Sequence, residues 1–160
     1  PDAKFVWVGD GPARTQLQRD NPDFVFCGVK RGEDLARHFA SADLFLFPSR
    51  SETFGNVTLE ALASGVPTVA FDYGAAHEYL RDGVHGAAIA CPDGAGNGDA
   101  GFIEAVVRIG GDDRLRAAMR AACRDAVAAL RPQQVAEDFD HILQSLAHPG
   151  GTHVAAAATP

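Results

Sequence analysis

Residues 49–72 read SRSETFGNVTLEALASGVPTVAFD, and the pattern changes inside them decide the fold class. A polar loop around Gly55-Asn56 gives way to a helix-forming run from about Asn56 to Ser64, which Gly65 stops. The apolar run VPTVAF at 66–71 then reads as a strand. A loop, a helix and a strand in succession form part of a βαβ unit. Glu60 breaks the pattern, because VTLEALA is otherwise apolar or small. A carboxylate there reaches water, finds an internal partner, or meets a ligand.

The same alternation extends outward. Lys4–Val8 (KFVWV) predicts a strand ending at the GDGP turn, and Pro12 suits the first turn of a helix running to about Arg19. Asp23–Cys27 and Asp43–Phe47 predict two further strands, with a helix over Glu33–Ser41 between them. Ala87–Ala90 predicts a short fifth strand. Beyond the Gly-rich CPDGAGNGDAG come three helical stretches, about 100–109, 112–130 and 133–147. Short apolar strands separated by helices give an α/β fold, a Rossmann-like parallel sheet with helices on both faces, followed by C-terminal helices. One domain is expected over 1–148, with a disordered tail over 149–160.

Composition narrows the chemistry. The chain has 160 residues, 46% hydrophobic and 22% charged, with a net charge of −7, which disfavours broad attraction to nucleic acid or an anionic membrane. Cys27, Cys91 and Cys123 form no CxxC pair, so neither a disulfide framework nor a zinc site is suggested and a reduced cytosolic setting fits. The six histidines lack metal-ligand spacing. No apolar run is long enough to span a bilayer.

In an open α/β sheet, ligands bind beyond the carboxyl ends of the strands. GDGP at 9–12, GVKRG at 28–32 and PSRSETFGN at 48–56 fall there. The third leads directly into a helix, whose free N–H groups and dipole suit a phosphate, with Gly55 allowing close approach. Glu60 lies one turn above Asn56 and leans back toward that end, while Glu52 enters from the loop. Two carboxylates beside a row of donors suit a sugar nucleotide, whose hydroxyls need acceptors and whose diphosphate needs donors. An arbitrary glutamate is most often a solvated surface charge; the apolar neighbours Val57, Leu59, Ala61, Leu62 and Ala63 argue against that for Glu60. Gly11 in GDGP is a candidate phosphate or base contact, with a plain turn nearly as good a reading. Lys30 and Arg31 read better as solvated charges, and His38 as a half-buried structural residue. His77-Glu78, in DYGAAHEYL, expected to be another strand-end loop, is a candidate contact for a transferred group. Ser49 and Ser51 lack the setting of a hydrolase nucleophile. VGDGPAR has only a partial dinucleotide pattern, with Arg14 where the third glycine belongs.

VGDGP, ADLFLFPS and above all ETFGNVTLEALASGVP resemble the C-terminal nucleotide-binding lobe of GT-B glycosyltransferases of retaining family 4 (group 1), over residues 4–90. Glu52 and Glu60 match that family's E-x7-E pair. The ETFGNV form and the FDYGAA loop look most like the branch of mannosyl- and sulfoquinovosyl-transferases. The resemblance implies that Glu60 accepts bonds from ribose hydroxyls and that Glu52 serves catalysis by holding donor-sugar hydroxyls. It also implies that the N–H groups of Phe54, Gly55, Asn56 and Val57 surround sugar and diphosphate, and that Gly28 and Val29 meet the base. The reaction implied is metal-independent, retaining glycosyl transfer from a UDP- or GDP-linked sugar, without a cofactor. A GT-B sugar-nucleotide epimerase and a non-catalytic Rossmann-like module are the alternatives.

Two departures are expected to matter. The acceptor-binding N-terminal lobe has no counterpart here, and the strand and helix that open this lobe in relatives would precede PDAKFVWVGDGP. In a sheet ordered 3-2-1-4-5-6 that strand is central, so a gap is expected between KFVWV and DLFLF. The fragment is then inactive alone unless a swapped partner strand fills the gap. The intact enzyme is expected in the cytoplasm, in peripheral contact with the inner membrane face if its acceptor is a lipid.

Overall fold

The computed structural model describes residues 3–90 and 97–147. Five strands and seven helices alternate as the sequence predicts through most of the chain: β1 (Val6–Val8), α1 (Arg14–Asp20), β2 (Val25–Gly28), α2 (Gly32–Ser41), β3 (Phe45–Phe47), α3 (Asn56–Ala63), β4 (Thr68–Phe71), α4 (Ala75–Tyr79), β5 (Gly86–Ile89), α5 (Asn97–Gly110), α6 (Asp113–Ala126) and α7 (Pro132–Ala147). Residues up to Val127 make one compact unit and those from Ala128 a second, which holds α7. The expected tail at 149–160 and Cys91 lie outside the described residues.

All strand pairs are parallel, but they fall into two sheets, β1-β2 and β3-β4-β5. The direct pairing of 4–8 with 43–47 that would have refuted the expected topology is absent among the described residues.

Strand β4 is the centre of the larger sheet. Val69 and Phe71 face Phe102, Ala105 and Ile109 of α5 and Met119 of α6, while Ala70 packs with Leu62 of α3, Ala76 of α4 and Cys123 of α6. Burial of both faces explains why VPTVAF carries no polar alternation. Gly86 permits the pairing of β4 with β5: a Cβ there would lie 1.8 Å from the Thr68 carbonyl oxygen. Strands β1 and β2 differ. Phe5–Val8 and Val25 are exposed, with Phe5 stacked on Phe24 and Trp7 on Phe26 at the surface.

Some local expectations change. Pro12 precedes α1 rather than starting it; the Arg14 N–H bonds to the Gly11 carbonyl at 3.0 Å, so Pro12 occupies the second position of a turn. Helix α5 begins at Asn97, inside the segment expected to be loop, and α6 ends at Ala126, short of 130. The basic side of α6, expected from DDRLRAAMRAACRDAVAAL to be solvated, is only partly so: Arg116 donates to the last carbonyls of α5 at Ile109 and Gly110, and Arg120 to the Ala42 carbonyl at 2.7 Å. Helix α4 lies within the stretch expected to be loop. Its signal was the Ala76–Leu80 spacing, two buried residues one turn apart.

Candidate functional site

The loop between β3 and α3 is the most organised strand end. Gly55 caps α3 in the left-handed region, φ +87°, with no side-chain hydrogen bond to the helix end. Thr58 N–H returns to the Gly55 carbonyl at 3.0 Å, whereas the N–H groups of Phe54, Gly55, Asn56 and Val57 meet no acceptor among the described residues. Four donors and the positive end of α3 therefore gather where an anion could sit.

The two glutamates have different settings. Glu52 is half-buried and accepts the Ser49 hydroxyl at 2.7 Å. This bond fixes one carboxylate oxygen and leaves the other available. Glu60 is exposed, with no partner among the described residues. The argument from its apolar neighbours therefore does not hold. On a helix, residues one apart point to different faces; Thr58, Ala61 and Leu62 form the buried face of α3, while Glu60 shares the exposed face with Asn56. Its alignment over the helix start stands on that spacing. Ser49, which lacks a nucleophile's setting, is a positioning hydroxyl here, and its S-x-x-E spacing to Glu52 is the sequence sign of that role.

Gly28 ends β2 of the other sheet, Val29 follows it, and Gly11 lies in the turn after β1. The Gly9 N–H donates to the Gly28 carbonyl at 2.9 Å, tying the ends of β1 and β2. Gly11 N–H is already given to Asp10 Oδ1 at 2.8 Å, and Asp10 also pairs with Arg14 at 3.1 Å. The Arg14 guanidinium lies beside Gly28, 3.4 Å from where a Cβ would stand, a cation at this edge that the sequence reading noted only as a missing glycine. Val29 is 57% exposed, and His38, half-buried, bonds through Nδ1 to the Asp34 carbonyl at 2.6 Å.

A third feature adjoins the β3–α3 loop. The turn after β4 is stitched to it: Ala75 N–H donates to the Phe54 carbonyl at 2.6 Å, and the Phe54 and Tyr79 rings meet edge to face. Gly74, φ +54°, makes this approach feasible, since a Cβ would stand 2.4 Å from the Phe54 oxygen. Asp72 and His77 of this turn bond to each other at 2.9 Å. No grouping of three or more His, Cys, Asp or Glu that could hold a metal ion occurs among the described residues.

The family model for glycosyl transferases group 1 matches residues 1–112, which contain all three strand-end features. The chain belongs to this family. It is 45% identical over 85 residues to a GDP-mannose-dependent alpha-mannosyltransferase of Corynebacterium glutamicum, covering 53% of this chain and 21% of that protein. It is also 43% identical over 72 residues to the sulfoquinovosyl transferase SQD2 of Arabidopsis thaliana, covering 44% and 14%. The chain thus spans less than a quarter of the length of these relatives. Among solved structures, the pneumococcal O-GlcNAc transferase in complex with UDP and GlcNAc superposes with a TM-score of 0.77 over 92% of this chain and 30% of that one, at 22% identity. An Anabaena protein, HepE, in complex with UDP and glucose gives 0.66 over 88% and 41%, at 25% identity. The fold is that of part of a GT-B lobe, followed by C-terminal helices. No described helix is long and apolar enough to cross a membrane.

Proposed function

We propose that this chain is the donor-binding part of a retaining glycosyltransferase that moves a hexose from a nucleoside-diphosphate sugar to an acceptor. The observation that carries this reading is the β3–α3 corner, where four unpartnered N–H groups stand between a held carboxylate, Glu52, and an open one, Glu60. Glu60 accepts the ribose hydroxyls, and the base lies toward Gly28, Val29 and the Gly11 turn. The diphosphate lies against the N–H groups of Phe54–Val57. Glu52, oriented by Ser49, accepts hydroxyls of the donor sugar.

Breaking the bond from the anomeric carbon to the diphosphate leaves negative charge on the phosphate oxygens. Donors already aimed at that position stabilise the developing charge without reorganising, and the α3 dipole adds to them. The pair of sheets supports a second part of the proposal: in the catalytic unit a further strand lies between β1 and β3. A swapped partner strand would supply that element. A lipid acceptor would bring the intact enzyme to a membrane surface.

Titrating UDP, GDP, ADP and their sugars against the full-length protein, beside Glu60→Ala, tests the reading. One nucleotide series should bind selectively, with affinity lowered about tenfold or more in the variant, the scale of hydrogen bonds to a charged acceptor. Equal binding by both proteins would remove Glu60 from the site. Silence from every nucleotide would favour a non-catalytic module.

A further inference from the structure

We infer that His77, oriented by Asp72, contacts the hexose of the donor and helps select it. The inference rests on the function proposed above and extends it to the neighbouring strand. Asp72 closes β4, its N–H still bonded to the Ile89 carbonyl at 2.8 Å. Its side chain meets His77 Nδ1 at 2.9 Å across the first turn of α4. His77 is 70% exposed, and its Nε2 has no partner among the described residues. The pair is therefore fixed at one end and open at the other.

Position decides what it meets. The base is assigned to the end of β2 and the diphosphate to the end of β3, so a donor extended along the strand ends carries its sugar toward the end of β4. The two corners are joined at Phe54, whose N–H belongs to the proposed diphosphate site and whose carbonyl takes the Ala75 N–H. A ligand group beyond the diphosphate meets the Asp72–His77 turn next.

Chemistry points the same way. An ionised carboxylate only accepts, so Asp72 places the proton of a neutral imidazole on Nδ1 and leaves Nε2 as an acceptor. A phosphate oxygen, itself an acceptor, is a poor partner for that nitrogen; a sugar hydroxyl is a good one. His77 thus becomes a donor-sugar contact, with Asp72 as its positioning residue.

The test compares nucleotides with and without their sugar on the full-length protein: GDP against GDP-mannose and UDP against UDP-glucose, in wild type, His77→Ala, Asp72→Asn and Glu60→Ala. His77→Ala should weaken the sugar nucleotide about three- to tenfold, the scale of one ordinary hydrogen bond, while leaving the diphosphate within about twofold. Asp72→Asn should shift the same ratio in the same direction, by less than His77→Ala, because a neutral amide holds the imidazole less firmly than a carboxylate and no longer fixes which ring nitrogen carries the proton; uniform destabilisation of the turn would not do this. If Glu60→Ala weakens both ligands while His77→Ala alters neither, the inference is overturned and the nucleotide site stands. Equal weakening of sugar nucleotide and diphosphate by His77→Ala also overturns it, placing the ring on the phosphates. No binding by wild type overturns both readings.

Discussion

The two sheets are built from similar residues and have opposite surroundings. In the three-stranded sheet, Thr68–Phe71 are buried on both faces, and Val69 is 0% exposed. In the two-stranded sheet, Val6 is 54% and Trp7 44% exposed. Strand composition alone cannot distinguish these cases, because an apolar run records what a strand is adapted to pack against. β4 has neighbours on both edges and helices on both faces; β1 has one partner strand, and the Phe5 and Trp7 rings of its segment stack on Phe24 and Phe26. A parallel pair with such an exposed apolar surface is unusual for a finished sheet. This contrast supports the proposal that a further strand belongs between β1 and β3.

Four perturbations probe the contrast. The largest effect is expected from Gly86→Ala, since the new methyl would occupy the Thr68 carbonyl and force β5 off β4. Urea unfolding should show a loss of about 4 kcal/mol or more, and a loss below about 1 kcal/mol would mean that the pairing of β4 and β5 tolerates separation.

The cysteines give the next effect. Burial pushes the Cys123 thiol up to about 11 from 9.0, slightly opposed by Arg120. The folded state therefore keeps a proton that the unfolded chain releases. Stability from this group is full below about pH 9 and is lost as pH rises through about 11, a decline of about 2–3 kcal/mol. Denaturation midpoints across that window should fall in wild type and flatten in Cys123→Ala. A decline of the same size in the variant would assign it to other groups.

Matched truncations sharpen the comparison directly. Val69→Ala should cost about 2 kcal/mol, and Val6→Ala less than about 1 kcal/mol, by the areas they withdraw from water. Equal costs would show that β1 is covered in solution. The smallest perturbation is isotope exchange itself: amides of β4 should open only with global unfolding, while those of β1 exchange through cheaper local opening. Equal protection of β1 and β4 would contradict the contrast.

Much of this organisation was legible in the sequence because strands and helices differ in period. KFVWV, DLFLF and VPTVAF gave three strands, and Gly65 marked the end of α3. The ladders proved shorter than the apolar runs, as in β1, where pairing covers Val6–Val8 rather than all of Lys4–Val8. Helix α4 escaped notice because five residues offer little more than one turn of periodicity. The convergence of Glu52, Glu60 and the FGNV backbone followed from a loop entering a helix. The exposure of Glu60 did not, because sequence neighbours on a helix point to other faces. The Arg14 approach to Gly28 and the Asp72–His77 pair depend on turns whose geometry no period encodes.

The central claim is that the strand ends from β2 to β3 hold a nucleoside-diphosphate sugar. Hydrogen exchange on the full-length protein, with and without saturating GDP-mannose or UDP-glucose, tests it most directly. The account predicts ligand-dependent protection over residues 52–60 and at 28–29. Saturation by either donor with no change in those segments would contradict it.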